Sequence, residues 1–525
     1  MNIPMRLFFT LLFLSSNLLH AQNGAPVIQN FTASVNWPAQ TLTLQYDVAD
    51  PENDPLEIQV ELSNDGGKTF AISNQIAVSG DVGFPVSPGT GRLISCDLNG
   101  LSGSGNFQVR LIALDRQPFD LQELVDAVDS TRLRADLEFV EGIRHATTGL
   151  THLRAVRDSI ENLFRELQMQ TELQAFMNGN FAASNVVGSV PGISHADTVI
   201  IVDAHYDSVS NAPGADDNGS GTVGVWEVAR LLSGYPAKKT LRYIGFDQEE
   251  AGLLGSIQYV SNGIPAHETI AGVLNFEMIG YYSEEPNSQT LPTGFNIFFP
   301  DVTAALAADQ YRGNFITNVG QQALPQVADL FAASAATYVP DLKVHTVLEP
   351  AGFTLVDLRR SDHAPFWASQ IPAIMITDGA NFRNECYHTP GDTLNEKLNF
   401  TFMANVVKAT LAAAAQLAEV QHGHWATANF AGTVGTTNLQ RDCAVSAGAY
   451  PNGGRTPGLF FGECPIANLN IRVFNANGGL VHTEILDAPP RQEWYPLNTP
   501  ALPAGIYFLN LQAAEGNHTL KVALF

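Results

Sequence analysis

Four short apolar runs, "DTVIIVDAH", "TLRYIGFD", "AGVLNFEM" and "IPAIMITDG", alternate with segments whose apolar residues keep helical spacing, such as "LTHLRAVRDSIENLFRELQ". Runs of this length, without polar alternation, suit strands covered on both faces, and such strands belong to parallel or largely parallel sheets. The pattern holds from 119 to 420 and predicts an α/β domain with a central mixed, mainly parallel sheet flanked by helices. Ligands of such sheets gather beyond the carboxyl ends of the strands, and that is where a site is expected.

The flanks read differently. From 25 to 116 the runs "TLTLQYDV", "LEIQVELS" and "NFQVRLIALD" alternate apolar with polar residues between turns such as "DPENDP", which predicts an immunoglobulin- or fibronectin III-like β-sandwich. The acidic turn reads either as solvated charge or as a calcium ligand. From 431 to 525 strands return, in "LNIRVFNANGGLVHTEI" and "LPAGIYFLNLQ", and predict a small C-terminal β-sandwich. Residues 1 to 21 have one arginine, an apolar run from Leu7 to Leu14 and His20-Ala21 before Gln22, the form of a cleaved signal peptide. With no later stretch read as a membrane span, the expected product is exported through the periplasm, secreted or held at the cell surface, without membrane insertion.

A formal charge of -25 argues against a nucleic-acid groove and selects no substrate. The four cysteines are too few to be the main stabiliser of 525 residues. Cys443 and Cys464 are the expected bridge, and Cys96 and Cys386 read as buried thiols.

The strand ends carry the chemistry. "DTVIIVDAH" runs into His205, Tyr206 and Asp207; His205 offers a nitrogen of the kind zinc prefers, and Asp207 is near enough to orient its ring. A histidine ending a strand is more often packed or hydrogen-bonded than ligating. "GADDNGSG" then sets Asp216 beside Asp217 in a run too small to bury anything, a costly choice unless a cation or a hydrogen-bonding partner answers the charge. After "TLRYIGFD" come Glu249 and Glu250, which alone would read as a solvated face. Glu277 ends an apolar strand where an unpaired carboxylate is costly, and His388 follows "IPAIMITDG" in "NECYHTPGDTL". Two histidines and several carboxylates suit zinc, and one aspartate able to span two ions suits a dinuclear pair.

In this order, "DAHYDS", "PGADDNGSG", "QEEAGLLGS", "NFEMIGYY", "RSDHAPFW" and "YHTPGDT" resemble the M28 family of zinc exopeptidases, including secreted bacterial aminopeptidases of the leucyl type. The resemblance covers 121 to 418. It implies two zinc ions held by His205, Asp217, Glu250, Glu277 and His388, with Asp217 bridging, Glu249 as general base and Asp207 supporting His205. It also implies a cis Asp217-Asn218 peptide. Glu277 stands where the family most often has aspartate, and Asp362 and Tyr387 are expected near the site or the substrate. The C-terminal segment ending "TLKVALF" resembles the sorting domain of type IX secretion cargo, which makes that machinery an expected partner beside peptide substrates.

The resemblance implies hydrolysis of N-terminal residues from peptides. A glutaminyl cyclase of the same fold uses nearly the same metal set. A carboxypeptidase would need a cationic clamp, for which Arg359, Arg360 and Arg383 stand close enough in sequence. A catalytically dead binding or adhesion protein is the remaining alternative, disfavoured because all five ligand positions and Glu249 are filled.

Overall fold

The computed structural model describes residues 23–36, 39–70, 72–99, 103–117, 119–434, 445–449, 456–461, 469–475, 479–487, 493–499, 502–513 and 516–524. The expected signal peptide and the expected Cys443–Cys464 bridge lie outside the described residues. Cys96 is buried and Cys386 half-buried, both as free thiols.

Eight strands form the central sheet: β1 (Gln170–Asn178), β2 (Phe181–Val190), β3 (His195–His205), β4 (Lys239–Phe246), β5 (Thr269–Glu277), β6 (Ile316–Gln321), β7 (Val344–Glu349) and β8 (Ala373–Thr377). Their spatial order is β7-β6-β8-β5-β3-β4-β2-β1. The centre is parallel, β3 pairing with β4 and β5, and β5 with β8. Toward the edges β2 runs against β4 and against β1, and β6 against β8. The fold is therefore the α/β arrangement expected, with a mixed sheet whose middle is parallel. Strands β1 and β2 meet through a two-residue turn in which Gly179 takes φ +59°, a conformation that costs glycine little.

Helices cover both faces. Helix α1 (Leu150–Glu166) buries Leu153, Val156, Ile160 and Phe164, one stripe at steps of three and four, against β1 and β2. Helices α2 (Gly221–Leu232), α3 (Gln326–Tyr338) and α5 (Phe400–Ala418) pack together over the sheet, and α4 (His363–Ala368) packs against β5 and β8. Around α4, Phe366 and Trp367 join Val199, Ile201, Ile244, Phe246 and Tyr259 in one core cluster. Asn399 starts α5 by accepting the N–H of Phe402 at 2.9 Å. By length and apolarity α5 could cross a membrane, yet 67% of its apolar window is buried inside the protein. Ala412 to Ala415 are at most 2% exposed, and these small side chains let α5 lie close to its neighbours.

The chain divides into two compact units. The larger is built from Val48–Glu57, Ala113–His424 and the segment ending at Val27, and holds the central sheet. The smaller comprises Ile28–Asp47, Ile58–Ile112 and Trp425–Phe525. Its N-terminal strands form two four-stranded sheets, one ordered Val27–Asn36, Thr41–Ala49, Gly89–Asp97, Ala77–Gly80, the other Gly423–Val434, Gly103–Leu114, Leu56–Ser63, Gly83–Val86. Strand Gly423–Val434 thus pairs with strands from the first part of the chain, which local periodicity cannot announce. The C-terminal strands form a three-stranded and a four-stranded sheet around Leu459, Ile471, Val473, Leu509 and Leu511.

Candidate metal centre

The parallel register aligns the carboxyl ends of β4, β3, β5 and β8: His205 stands beside Phe246, and Glu277 beside Thr377. Every donor foreseen in the sequence leaves the sheet from these four ends.

The loop Gly214–Gly221 shows why it is made of small residues and two acids. Gly214 has φ +62°, and a Cβ there would lie 2.2 Å from the Asp217 carbonyl oxygen. The Asp217-Asn218 peptide is cis, as expected. Asn218 ties the loop to the end of β5, donating from Nδ2 to the Phe276 carbonyl (2.8 Å) and accepting the Met278 N–H at Oδ1 (3.0 Å). Asp216 turns away from the donors, accepting the Gly280 N–H and the Asn384 amide, each at 3.0 Å. Asp217 turns toward them.

Two sets of three donors result, His205 with Glu249 and Glu277, and Asp217 with Glu250 and His388, the atoms of each set lying within 4.8 Å of one another. Asp217 presents an oxygen to each histidine: Oδ1 is 3.5 Å from His205 Nε2 and Oδ2 is 3.1 Å from His388 Nε2. His205 Nε2 is also 3.4 Å from Glu277 Oε2, and His388 Nε2 is 3.1 Å from Glu250 Oε2. Ligands on a tetrahedral zinc ion stand about 3.3 Å apart. Glu249 Oε2, at 3.9 Å from His205 Nε2, stands farther out than the rest.

Charge and hydrogen bonding fit a cation. His205 Nε2, His388 Nε2, Asp217 Oδ2 and Glu250 Oε1 are buried and have no hydrogen-bond partner, which would be expensive unless positive charge lay among them. Burial opposes a charge on His388, but Asp217 and Glu250 outweigh it and raise the ring to about 10. His205 goes the same way, burial being overcome by Glu249, Asp207 and Glu277. Burial, with Asp217 beside it, pushes Glu250 up to about 7. The donor set therefore fits a pair of metal ions of the zinc type.

Asp207 supports two elements at once. Its Oδ1 lies 3.4 Å from His205 Nδ1, and its two oxygens accept the N–H groups of Glu249 (3.0 Å) and Glu250 (3.2 Å), fixing the turn after β4. Burial holds Glu249 well above the usual carboxylate range, with His205 opposing and Glu277, Asp362 and Glu250 adding to the rise. Asp362 is fully buried, with neither carboxylate oxygen hydrogen-bonded, and burial raises it to about 7. Tyr387 stacks on the His388 ring at 3.8 Å, and its hydroxyl accepts from Arg360 Nη2 at 2.9 Å. The other two arginines are engaged elsewhere: Arg359 with Glu349 at 2.5 Å, and Arg383 with Gln289 at 2.7 Å and the Tyr281 carbonyl at 3.1 Å. An apolar pocket opens beside Glu277 and Tyr387 and runs inward past Leu306, Phe315, Val319 and Met375.

Three supporting residues escaped the sequence reading. Asp392 accepts the N–H groups of Asp216 (3.0 Å) and Asp217 (3.1 Å). Ser361 donates to Glu277 Oε2 at 2.7 Å. Arg144 is fully buried and gives hydrogen bonds of 2.7–3.0 Å to five carbonyls, those of Val140, Gly142, Tyr206, Pro213 and Gly214. Asp392 and Ser361 stand inside the motifs around His388 and Asp362, where their polar side chains were a usable signal. Arg144 had none.

A parallel-centred α/β sheet with paired donor sets at its strand ends defines a metallohydrolase-like centre. The model of peptidase family M28 matches residues 185–414, and that of a secretion system C-terminal sorting domain matches residues 459–524. The uncharacterized protein YfbL of Escherichia coli is 33% identical over 310 residues, 55% of this chain and 91% of that protein. Aminopeptidase YwaD of Bacillus subtilis is 40% identical over 124 residues, 23% of this chain and 26% of that protein. The Legionella pneumophila LapA aminopeptidase structure aligns with a TM-score of 0.43 at 21% identity, covering 58% of this chain and 78% of that one. The chain belongs to peptidase family M28, and it carries a C-terminal sorting domain of the type IX kind.

Proposed function

We infer that the protein is an exported dinuclear zinc aminopeptidase. The observation that carries this reading is Asp217 lying between the two donor sets, one oxygen 3.5 Å from His205 and the other 3.1 Å from His388, while Glu249 is the member of the first set farther from His205, at 3.9 Å. His205, Asp217 and Glu277 would hold one ion, and Asp217, Glu250 and His388 the other. Zinc bound there supplies a polarised carbonyl oxygen and a water of lowered pKa.

The chain's own residues supply the rest. Glu249 takes the proton of the attacking water at its carboxylate and returns it to the leaving amine, a role open to a carboxylate 3.9 Å from His205 Nε2. Asp207 keeps the Glu249 and Glu250 amides in place, so that two adjacent carboxylates do different work. The acidic surroundings favour a free N-terminal amine, and the pocket past Phe315 and Met375 receives the apolar side chain beside it. The aminopeptidase relative YwaD supports the same reading. For a carboxypeptidase, Arg359 and Arg383 are committed to other partners, which leaves Arg360, bound to the Tyr387 hydroxyl and lining the same pocket, as the candidate clamp for a substrate carboxylate.

The test uses zinc-loaded full-length protein and three peptides: free N-terminus, N-acetylated, and N-terminal glutamine. Hydrolysis of the free-amine peptide but not the acetylated one is expected, with kcat lowered about 10²- to 10⁴-fold in Glu249→Gln at unchanged zinc content. Ring closure of the glutamine peptide without hydrolysis would mark a cyclase instead. Release of C-terminal residues would mark a carboxypeptidase, and inertness toward all three would remove the enzymatic reading.

A further inference from the structure

Beside the metal donors, the register of the sheet lines up one row of side chains. Glu277 on β5 pairs with Thr377 on β8, Thr377 with Thr317 on β6, and Thr317 with His345 on β7. All four line the pocket that opens beside Glu277 and Tyr387, so the row runs along its floor. On the same face, one pleat deeper, Met375, Val319 and Val347 form a second, apolar row, and Phe295, Leu306 and Phe315 wall the space above. Adjacent strands stand about 4.8 Å apart, which puts Thr317 roughly 10 Å and His345 roughly 14 Å from Glu277 across the sheet.

The far end of this row is polar and uncommitted. The His345 ring packs edge-on against Phe315, with ring centres 4.7 Å apart. Among the described residues, neither its ring nitrogens nor the Thr317 hydroxyl enter a hydrogen bond. Burial lowers the His345 pKa, with Lys343 and Arg383 adding to the fall, so the ring is neutral and offers one donor and one acceptor. Other polar groups along the pocket already have partners: Gln289 accepts from Arg383 Nε at 2.7 Å, Thr290 donates to the Phe382 carbonyl at 2.8 Å, and Thr377 Oγ1 accepts the Gly379 N–H at 3.1 Å.

We propose that the pocket selects peptides with an N-terminal tyrosine, Thr317 and His345 reading its phenolic hydroxyl. The proposal rests on the aminopeptidase reading and goes beyond it in naming the side chain. With the substrate amine held among the metal donors, a leucine side chain ends over β8. An aromatic ring extends one strand further between the apolar walls, and a hydroxyl on that ring arrives between Thr317 and His345. The cavity of about 80 Å³ is several times the roughly 10–15 Å³ that one water needs, which leaves room for such a ring. A leucine or phenylalanine there shuts both polar groups off from water without a partner, a cost that tyrosine avoids.

The test measures kcat and KM of zinc-loaded full-length protein on peptides that differ only in an N-terminal tyrosine, phenylalanine or leucine. Titration calorimetry with tyrosinamide and phenylalaninamide reads the pocket without turnover. Tyrosine is expected to exceed both other residues about tenfold in kcat/KM, and tyrosinamide to bind about tenfold tighter than phenylalaninamide. Thr317→Val and His345→Leu should each remove much of that preference while leaving the phenylalanine peptide unchanged, and His345→Gln, which keeps a donor and an acceptor, should retain it. Equal kcat/KM for tyrosine and phenylalanine overturns the proposal, and so does a tyrosine preference that persists in both Thr317→Val and His345→Leu. Should His345→Leu fail to fold, Thr317→Val decides alone, an unchanged preference overturning the proposal. Inertness toward all three peptides counts against the aminopeptidase reading; calorimetry then judges the pocket by itself, and equal affinity for the two amides overturns the proposal.

Discussion

Glu249 and Glu250 are adjacent and chemically identical, yet one reaches into a donor set beside His388 while the other stands back from His205. What separates them is the turn, and the turn is held by Asp207. The same logic makes Asp392 a sensitive position, since it holds the backbone on both sides of Asp216. Asp392→Ala leaves two buried N–H groups without acceptors, at about 1–3 kcal/mol each. It should also weaken zinc affinity about 10- to 100-fold, read by competition against a chelator, and Asp392→Asn should recover part of both losses through its single carbonyl oxygen. The donors themselves were legible in the sequence because metal chemistry accepts few residue types and the sheet restricts where they can stand. Asp392, Ser361 and Arg144 were harder to see, because holding a backbone amide or carbonyl is work that many side chains can do from almost any point in the chain.

At the scale of elements, α4 carries a charge-sensitive point. His363 is fully buried; its Nε2 donates to the Leu358 carbonyl at 2.8 Å, while Nδ1 has no partner. Burial lowers its pKa from 6.5 to about 4. The unfolded chain therefore takes up a proton at a pH where the folded chain does not, and stability present above about pH 6.5 is lost as the pH falls toward 4. The loss approaches about 3 kcal/mol across that window. Denaturant unfolding at pH 7, 6 and 5 should show it, and the difference curve against His363→Gln should isolate this residue from the other acids. The strands and helices were visible because burial on two faces leaves an unbroken apolar run, and burial on one leaves a period of two or 3.6. Their neighbours were not: that β2 and β6 run antiparallel, or that Gly423–Val434 joins Leu56–Ser63 and Gly103–Leu114 in one sheet, depends on contacts far apart in sequence.

For the whole molecule, the candidate metal centre is a concentration of negative charge inside a chain already at -25. Chelation should lower the unfolding temperature of the larger unit and leave that of the smaller in place, with zinc restoring the first; at a thousandfold excess over Kd the stabilisation is about 4 kcal/mol. Differential scanning calorimetry that shows both units shifting alike would count against a centre confined to one of them. Arg144 sets a limit on that dependence. Its guanidinium, clamped to five carbonyls, keeps its proton throughout the range in which the protein is folded. The loop approaching Asp217 thus has its shape before any ion arrives. A centre built this way is refilled rather than rebuilt: zinc stripped by chelation and then returned should find its ligands in place, with no refolding step between binding and recovery.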